Sequence, residues 1–191
     1  MNTLNGYVAF SSGSPQFRIV ESLVPDAPRY IYYSQSDLED DLVGMRSSNN
    51  GNKEVRTKDR VHTLAAGDVL FSLIAGKAAI VGDGHAGYIY TQNYIKLMPT
   101  SAIEPGFLVY LLNEDRFIRR QFFVGLQGSQ VLKYNLKQLK ELRVGSLPAL
   151  ARQRQIGSIY FKQLHLTALK NQAAEWELEL CLGRLAEASK E

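Results

Sequence analysis

Residues 67–99 read GDVLFSLIAGKAAIVGDGHAGYIYTQNYIKLMP, and the fold class turns on how this stretch divides. A Gly-Asp turn at 67–68 leads into VLFSLI, a short apolar run of strand type. AAIV at 78–81 reads as a second buried strand and YIYTQNYIKLM at 88–98 as a third. Gly82, Gly84 and Gly87 spell GxGxxG, the spacing of a dinucleotide fingerprint. That fingerprint needs a helix directly behind it, so that the helix N-terminus meets the pyrophosphate. The residues behind Gly87 are strand-like, so GDGHAG reads as a hairpin turn and nucleotide binding is set aside.

Upstream, SSGSP at 11–15 marks a turn, and Gln16 to Leu23 reads as a first strand closed off by Pro25 and Pro28. Tyr30 to Tyr33 is aromatic and β-branched, hence strand-like. Residues 44–52, GMRSSNNGN, form an exposed polar loop with basic borders. Downstream the period changes. Between Pro105 and Phe123, the side chains of Phe107, Leu108, Leu111, Leu112, Ile118 and Phe122 gather on one helical face. After a break at 125–129 comes a short helix over 135–142 with Leu136 and Leu139 inward, and Pro148 marks a boundary.

From Ala151 onward there is no proline, and Gly157 and Gly183 stand near the two ends. Thirty-odd helical residues would span about 50 Å, longer than a one-domain core can cover. One seam on this helix runs from Ile156 through Tyr160, Leu164, Thr167, Asn171, Ala174, Leu178 and Cys181 to Leu185. From Tyr160 its steps alternate four and three, a heptad pattern for pairing with another helix. Thr167 and Asn171 are its polar members, and a seam Asn can fix register and partner number. The expectation is an α+β chain, with a mixed globular domain over 1–147 and a helical region over 148–191 that pairs as a coiled coil.

The chain has 191 residues, 45% apolar and 21% charged, with a formal net charge of +3, the composition of a soluble globular protein. No apolar run is long enough to cross a bilayer. The start, MNTLNGYVAFSSGSP, lacks the basic head and apolar core of a signal peptide. The single cysteine, Cys181, excludes an intrachain disulfide, and together these features place the chain in the cytoplasm. Positive charge clusters in two stretches, Arg46 to Arg60 and Arg116 to Arg143, either of which could track phosphates. Amide, hydroxyl and guanidinium side chains pair with base edges while Lys and Arg hold phosphates. The DNA-contact candidates are Ser14, Gln16, Arg18, Arg46, Lys53, Arg56, Lys58, Lys77, Gln127, Ser129, Gln130, Lys133 and Tyr134.

Catalytic chemistry is harder to find. The three histidines are scattered, no metal-ligand spacing exists, and there is no nucleophile elbow or P-loop. Pro25-Asp26 followed by Glu54-Val55-Arg56 echoes a nuclease carboxylate pattern, but Arg56 stands where a lysine belongs. Neither a cofactor nor a metal is expected.

The ordered set of motifs resembles the target-recognition domains in specificity subunits of type I restriction-modification systems. The resemblance is carried by the 67–99 run with its Gly-Lys and Gln-Asn pairs, and by the helix PGFLVYLLNEDRFIRRQ at 105–121. It continues through Gly128-Ser129, Leu132, the helix at 136–142, Leu147-Pro148 and Gln153 to Ile156. It implies that the domain reads one half of a bipartite site in double-stranded DNA. The helices would set the distance between halves and dock methyltransferase subunits, which carry S-adenosylmethionine and methylate adenine. Translocating nuclease subunits join in some assemblies, and the specificity subunit does no chemistry itself. Full-length members carry two recognition domains and two helical spacers. One of each suggests either a half-subunit that homodimerises through its helix, and thus an inverted-repeat target, or a fragment or truncated form of a longer chain. The competing expectations are a protein-interaction adaptor or inhibitory half-subunit with a degenerate DNA face, and an enzyme. A methyltransferase would need a motif such as an Asn-Pro-Pro loop, which the sequence lacks.

Overall fold

The computed structural model describes residues 2–46, 51–126 and 134–190. In chain order its elements are β1 (Asn2–Thr3), β2 (Val8–Ser12), β3 (Arg29–Ile31), α1 (Gln35–Val43), β4 (Glu54–Arg56), β5 (Val69–Ser72), β6 (Lys77–Ile80), β7 (Tyr94–Pro99), α2 (Pro105–Glu114), α3 (Arg116–Leu126), α4 (Leu136–Glu141), β8 (Arg143–Val144) and α5 (Leu150–Ala188). The architecture is α+β. An antiparallel sheet in the order β2-β7-β5-β6 forms the centre, and the pairs β3-β4 and β1-β8 flank it.

The apolar runs of the 67–99 stretch become the middle of this sheet. Every residue of β5 is buried, and Phe71 stacks on Phe122 of α3 with centroids 5.6 Å apart. The β5–β6 turn passes through Gly76 at φ +63°, with the ring of Tyr134 lying directly on it. A side chain at Gly76 would face both an unfavourable backbone angle and that ring. The outer edge of β6 is closed by a side chain. Asn113 of α2 accepts from Ala78 N–H at 2.8 Å and donates to Ala78 C=O at 2.9 Å, pairing as a neighbouring strand would.

Three expectations need correction. No strand forms over 16–23; the strand beside the 11–15 turn is β2, which precedes and enters it. Residues 16–18 form a 3-10 turn instead, and 19–28 have no regular structure; Phe17, Val20, Leu23 and Val24 point outward, and only Ile19 and Ala27 pack inward. The strand expected over 88–98 begins only at Tyr94; before it, Ile89 and Thr91 make isolated bridges to Tyr32, Thr63 and Ser14. The helix expected over 105–123 is two helices. Asp115 ends α2 with its N–H on Leu111 C=O, and its carboxylate caps the next helix by accepting from Ile118 N–H at 3.0 Å. Residues 35–43, with no element expected from their sequence, form α1, started by a Ser34–Asp37 capping box and ended by Gly44 at φ +67°.

Helix α5 is 39 residues long, on the order of 60 Å. Its first four turns belong to the domain. Gln153 is 1% exposed and fully bonded: its carbonyl accepts from Glu104 N–H, and its amide donates to Ala102 and Pro148 carbonyls. One turn later Gly157 meets Gly106 of α2, so close that a Cβ on Gly157 would stand 2.7 Å from the Gly106 carbonyl carbon. Tyr160 accepts from Asn113 and donates to Glu114 at 2.9 Å, and His165 Nδ1 lies 2.9 Å from Val43 C=O at the end of α1.

The expected pairing seam is therefore divided. Ile156, Tyr160 and Leu164 pack against their own domain's apolar cluster and are not available to a second helix. Asn171 lines a cleft facing Asp40 and Arg46 of the same chain. Beyond Leu164 the seam emerges into solvent, with Thr167, Ala174, Leu178 and Leu185 exposed. At 100° per residue, Leu166, Leu169, Ala173, Trp176 and Leu180 form a second stripe on the opposite side, also exposed.

The two helix glycines give a paired test. Gly157→Ala must push α5 off α2 and is expected to lower stability by about 1–3 kcal/mol. Gly183→Ala, with open space around it, should raise helix stability by up to about 1 kcal/mol. Urea midpoints at unchanged m-value check both signs.

Candidate nucleic-acid interface

The first basic stretch and the 14–28 segment come together. Ser14 bridges to Thr91 and its N–H bonds Tyr90 C=O; Ser22 N–H bonds Arg56 C=O; Val20 N–H bonds the Asp59 carboxylate at 2.7 Å. These long-range bonds hang an irregular loop on the β2 edge of the sheet and on β4. Ser14, Gln16, Arg18, Lys53, Arg56 and Lys58 thus share one region of the domain, and all but the half-buried Ser14 are exposed.

Lys53 is aimed from both sides. Its C=O accepts from Tyr32 N–H, its ammonium stands 5.8 Å from the Tyr32 ring centroid, and the preceding Asn52 donates to Asp37 at 2.8 Å. Asp37 belongs to a buried polar cluster. The two ring nitrogens of His85 face Asp37 at 3.3 Å and Asp41 at 2.8 Å, and Tyr33 donates its hydroxyl to Asp41 at 2.7 Å. Burial, then the Asp41 carboxylate, push the Tyr33 hydroxyl far above the ordinary tyrosine value of 10.0. The cluster ties α1 to the 82–87 turn and, through Asn52, steadies the loop that carries Lys53. Among the described residues no group of three or more His, Cys, Asp or Glu side chains is arranged to hold a metal ion.

Other candidates go elsewhere. Arg46 lies over Gly84, in a separate cleft with Asp40 and Asp83. Lys77 starts β6, the opposite edge of the sheet from β2. Tyr134 is half-buried and packs against the core away from the 14–28 segment, its ring edge-on to Phe71 and Phe122 at 6.2 and 5.0 Å. Within the second basic stretch, Arg119 donates to Gly76 C=O and Lys140 lies over Phe10, so both are engaged locally. Gln127, Ser129, Gln130 and Lys133 lie outside the described residues. Sequence reasoning also missed contributors: Phe17, Thr91 and Gln92 line a cleft of about 400 Å³ with Gln16 and Lys53.

The family model for the type I restriction modification DNA specificity domain matches residues 18–179. The chain belongs to this family. Among solved structures, the specificity domain is similar to the HsdS subunit from Thermoanaerobacter tengcongensis, at TM-score 0.60 and 17% identity over 96% of this chain and 41% of that one. A chain from work on complex assembly and conformational transition of the type I R-M system gives TM-score 0.61 and 20% identity over 93% of this chain and 41% of that one. The S subunit from M. genitalium gives 0.52 and 14%, with coverage of 93% and 41%. The specificity domain thus shares their fold while spanning about two fifths of each relative's length. No curated protein matches. Among the described residues no helix is long and apolar enough to cross a membrane.

The buried tyrosine gives a pH test. A hydroxyl whose folded pKa lies above its unfolded value stabilises fully below about pH 10 and loses that contribution as pH rises further. Tyr33→Phe is expected to be less stable than the wild type at pH 7, because Asp41 loses its donor, and to lose less stability between pH 9.5 and 11.5. Denaturation midpoints across that range check the crossing slopes.

Proposed function

We propose that this chain is the DNA-recognition part of a type I restriction-modification methyltransferase, reading one half of a bipartite site and docking the methyltransferase subunits. The observation that carries the reading is the specificity-family match over residues 18–179. Support comes from the convergence of Gln16, Arg18, Lys53, Arg56 and Lys58 on one region. On this reading residues 1–147 recognise double-stranded DNA in the cytoplasm and 148–191 act as spacer and pairing region. The chain is non-catalytic and holds no cofactor; methyl transfer, and DNA translocation with cleavage where those subunits join, belong to its partners.

The exposed apolar half of α5 supports pairing with a second copy, which would present two identical reading heads to an inverted-repeat target. Leu178 and Leu185 then form the working part of the seam. Leu178→Asp with Leu185→Asp is expected to convert a dimer to a monomer in sedimentation velocity while the thermal midpoint of the domain stays put. Wild type that sediments as a monomer at micromolar concentration would remove the homodimer.

Selection from a random duplex pool, with the cognate methyltransferase subunit present, should return one enriched motif; no enrichment would favour a protein adaptor with a degenerate DNA face. Replacing Lys53, Arg56 and Lys58 by alanine should reduce the steepness of log K against log salt by up to about 3, since each phosphate contact contributes about 0.9. An unchanged slope would take this loop off the phosphate-contact surface.

A further inference from the structure

Residues 17–24 hold four apolar side chains in water. Phe17 is 77% exposed and Leu23 96%, with Val20 and Val24 also exposed. The backbone of the segment is tied at both sides of Phe17: Ser14, Val20 and Ser22 donate to Tyr90, Asp59 and Arg56, and Arg18 and Ile19 close the 16–18 turn on Pro15 and Gln16. A chain that buries a well-formed core yet leaves four apolar side chains together at the surface on a tied backbone marks an interaction site.

The surroundings of Phe17 say what kind of ligand. The ring sits at a cleft lined by Gln16, Lys53, Thr91, Gln92 and Asn93, with the Arg18 guanidinium 5.7 Å from its centroid. The lining holds three amides, a hydroxyl and an ammonium, and no carboxylate. A protein partner's apolar face would desolvate the Gln16 and Gln92 amides without pairing them, which is costly. A duplex major groove satisfies them. A Gln or Asn amide pairs bidentately with the N6/N7 edge of adenine, a lysine meets a phosphate, and a phenyl ring packs against the 5-methyl group of thymine. Amide and ring at the same rim are the two complementary readers of A·T pairs.

We infer that the Phe17–Gln92 cleft is a base-reading subsite of this specificity domain, with Gln16 and Gln92 as amide readers and Phe17 as the reader of a thymine methyl group. The inference rests on the DNA-recognition reading above and adds to it the class of base pair recognised. Phe17 and Gln92 are exposed, so their alanine variants are expected to keep the wild-type denaturation midpoint.

The test uses the best duplex from the selection, the full chain and its methyltransferase subunit, with each thymine replaced in turn by deoxyuridine, which removes only the methyl group. Wild type should lose about fivefold or more in affinity at one or two thymines. Phe17→Ala should bind the thymine duplex as weakly as wild type binds that deoxyuridine duplex, and show no further loss on deoxyuridine. Gln92→Ala should lose discrimination at an adjacent pair while its salt slope stays unchanged. Wild type indifferent to every replacement, or a Phe17→Ala variant with full deoxyuridine sensitivity, overturns the subsite while leaving DNA recognition standing. A pool that yields no motif at all defeats the DNA-recognition reading itself.

Discussion

The crossing of α2 and α5 is the constraint on which the rest depends. Gly106 and Gly157 bring the two helices close enough for Gln153 to reach the 102–104 loop and Pro148 with every polar atom bonded. Asn113 then closes the free edge of β6 and hands a hydrogen bond on to Tyr160, which donates in turn to Glu114. Sheet edge, α2 and α5 are joined in one polar chain with few permitted arrangements. Apolar packing alone tolerates small rotations; a buried amide with three fixed partners does not, because each lost bond leaves a desolvated group behind.

For a helix that works as a spacer, that stiffness has a measurable meaning. From Tyr160 to Ala188 the helix runs on the order of 40 Å. A tilt of about 5° at the junction would move its tip by about 3.5 Å, close to the 3.4 Å step between bases on one strand. If α5 spaces two half-sites as proposed, a junction that fixes the angle would fix that spacing to within a base pair. His165, lying against the carbonyl of Val43, adds a second point of attachment two turns further along and resists the same tilt.

The parts of the fold that depend on local pattern are visible in the sequence. The β5 and β6 strands are short apolar runs bounded by glycine turns, α4 carries its Asn135 cap, and α5 has a long proline-free pattern. Elsewhere two signals compete in the same residues. Ser34-x-x-Asp37 before Leu38 and Gly44 after Leu42 are start and stop signals for α1, but the run Asp37 to Asp41 stands out first as charge. Asp115 is a helix start within an otherwise continuous apolar periodicity. The seam on α5 is apolar as its spacing indicates, yet its partner is not written in the spacing. Ile156, Tyr160 and Leu164 satisfy a heptad and a domain-facing stripe equally well, and only the position of α2 decides between them. The interface is half visible, since basic residues at 53–58 declare themselves, whereas Gln92 reaches Gln16 only through the Ser14–Thr91 bridge.

The placement of these features on the sheet separates two properties that a recognition protein must vary independently. The cleft around Phe17 hangs from the β2 edge, while Asn113, α2 and the root of α5 sit at the β6 edge. Two whole strands, β7 and β5, lie between. Side chains at the β2 edge are exposed and carried by irregular backbone, so they can change without disturbing buried bonds. At the β6 edge Ala78, Asn113, Gln153 and Gly157 are buried and, where polar, fully bonded, and a change at any of these moves the helix. On the proposed reading, base preference would lie where substitution costs little stability, and half-site spacing where it costs a great deal. On that reading new targets would arise by substitution at the cleft with the spacer geometry intact, whereas a new spacing would require the junction to be rebuilt or the exposed half of α5 to change its length.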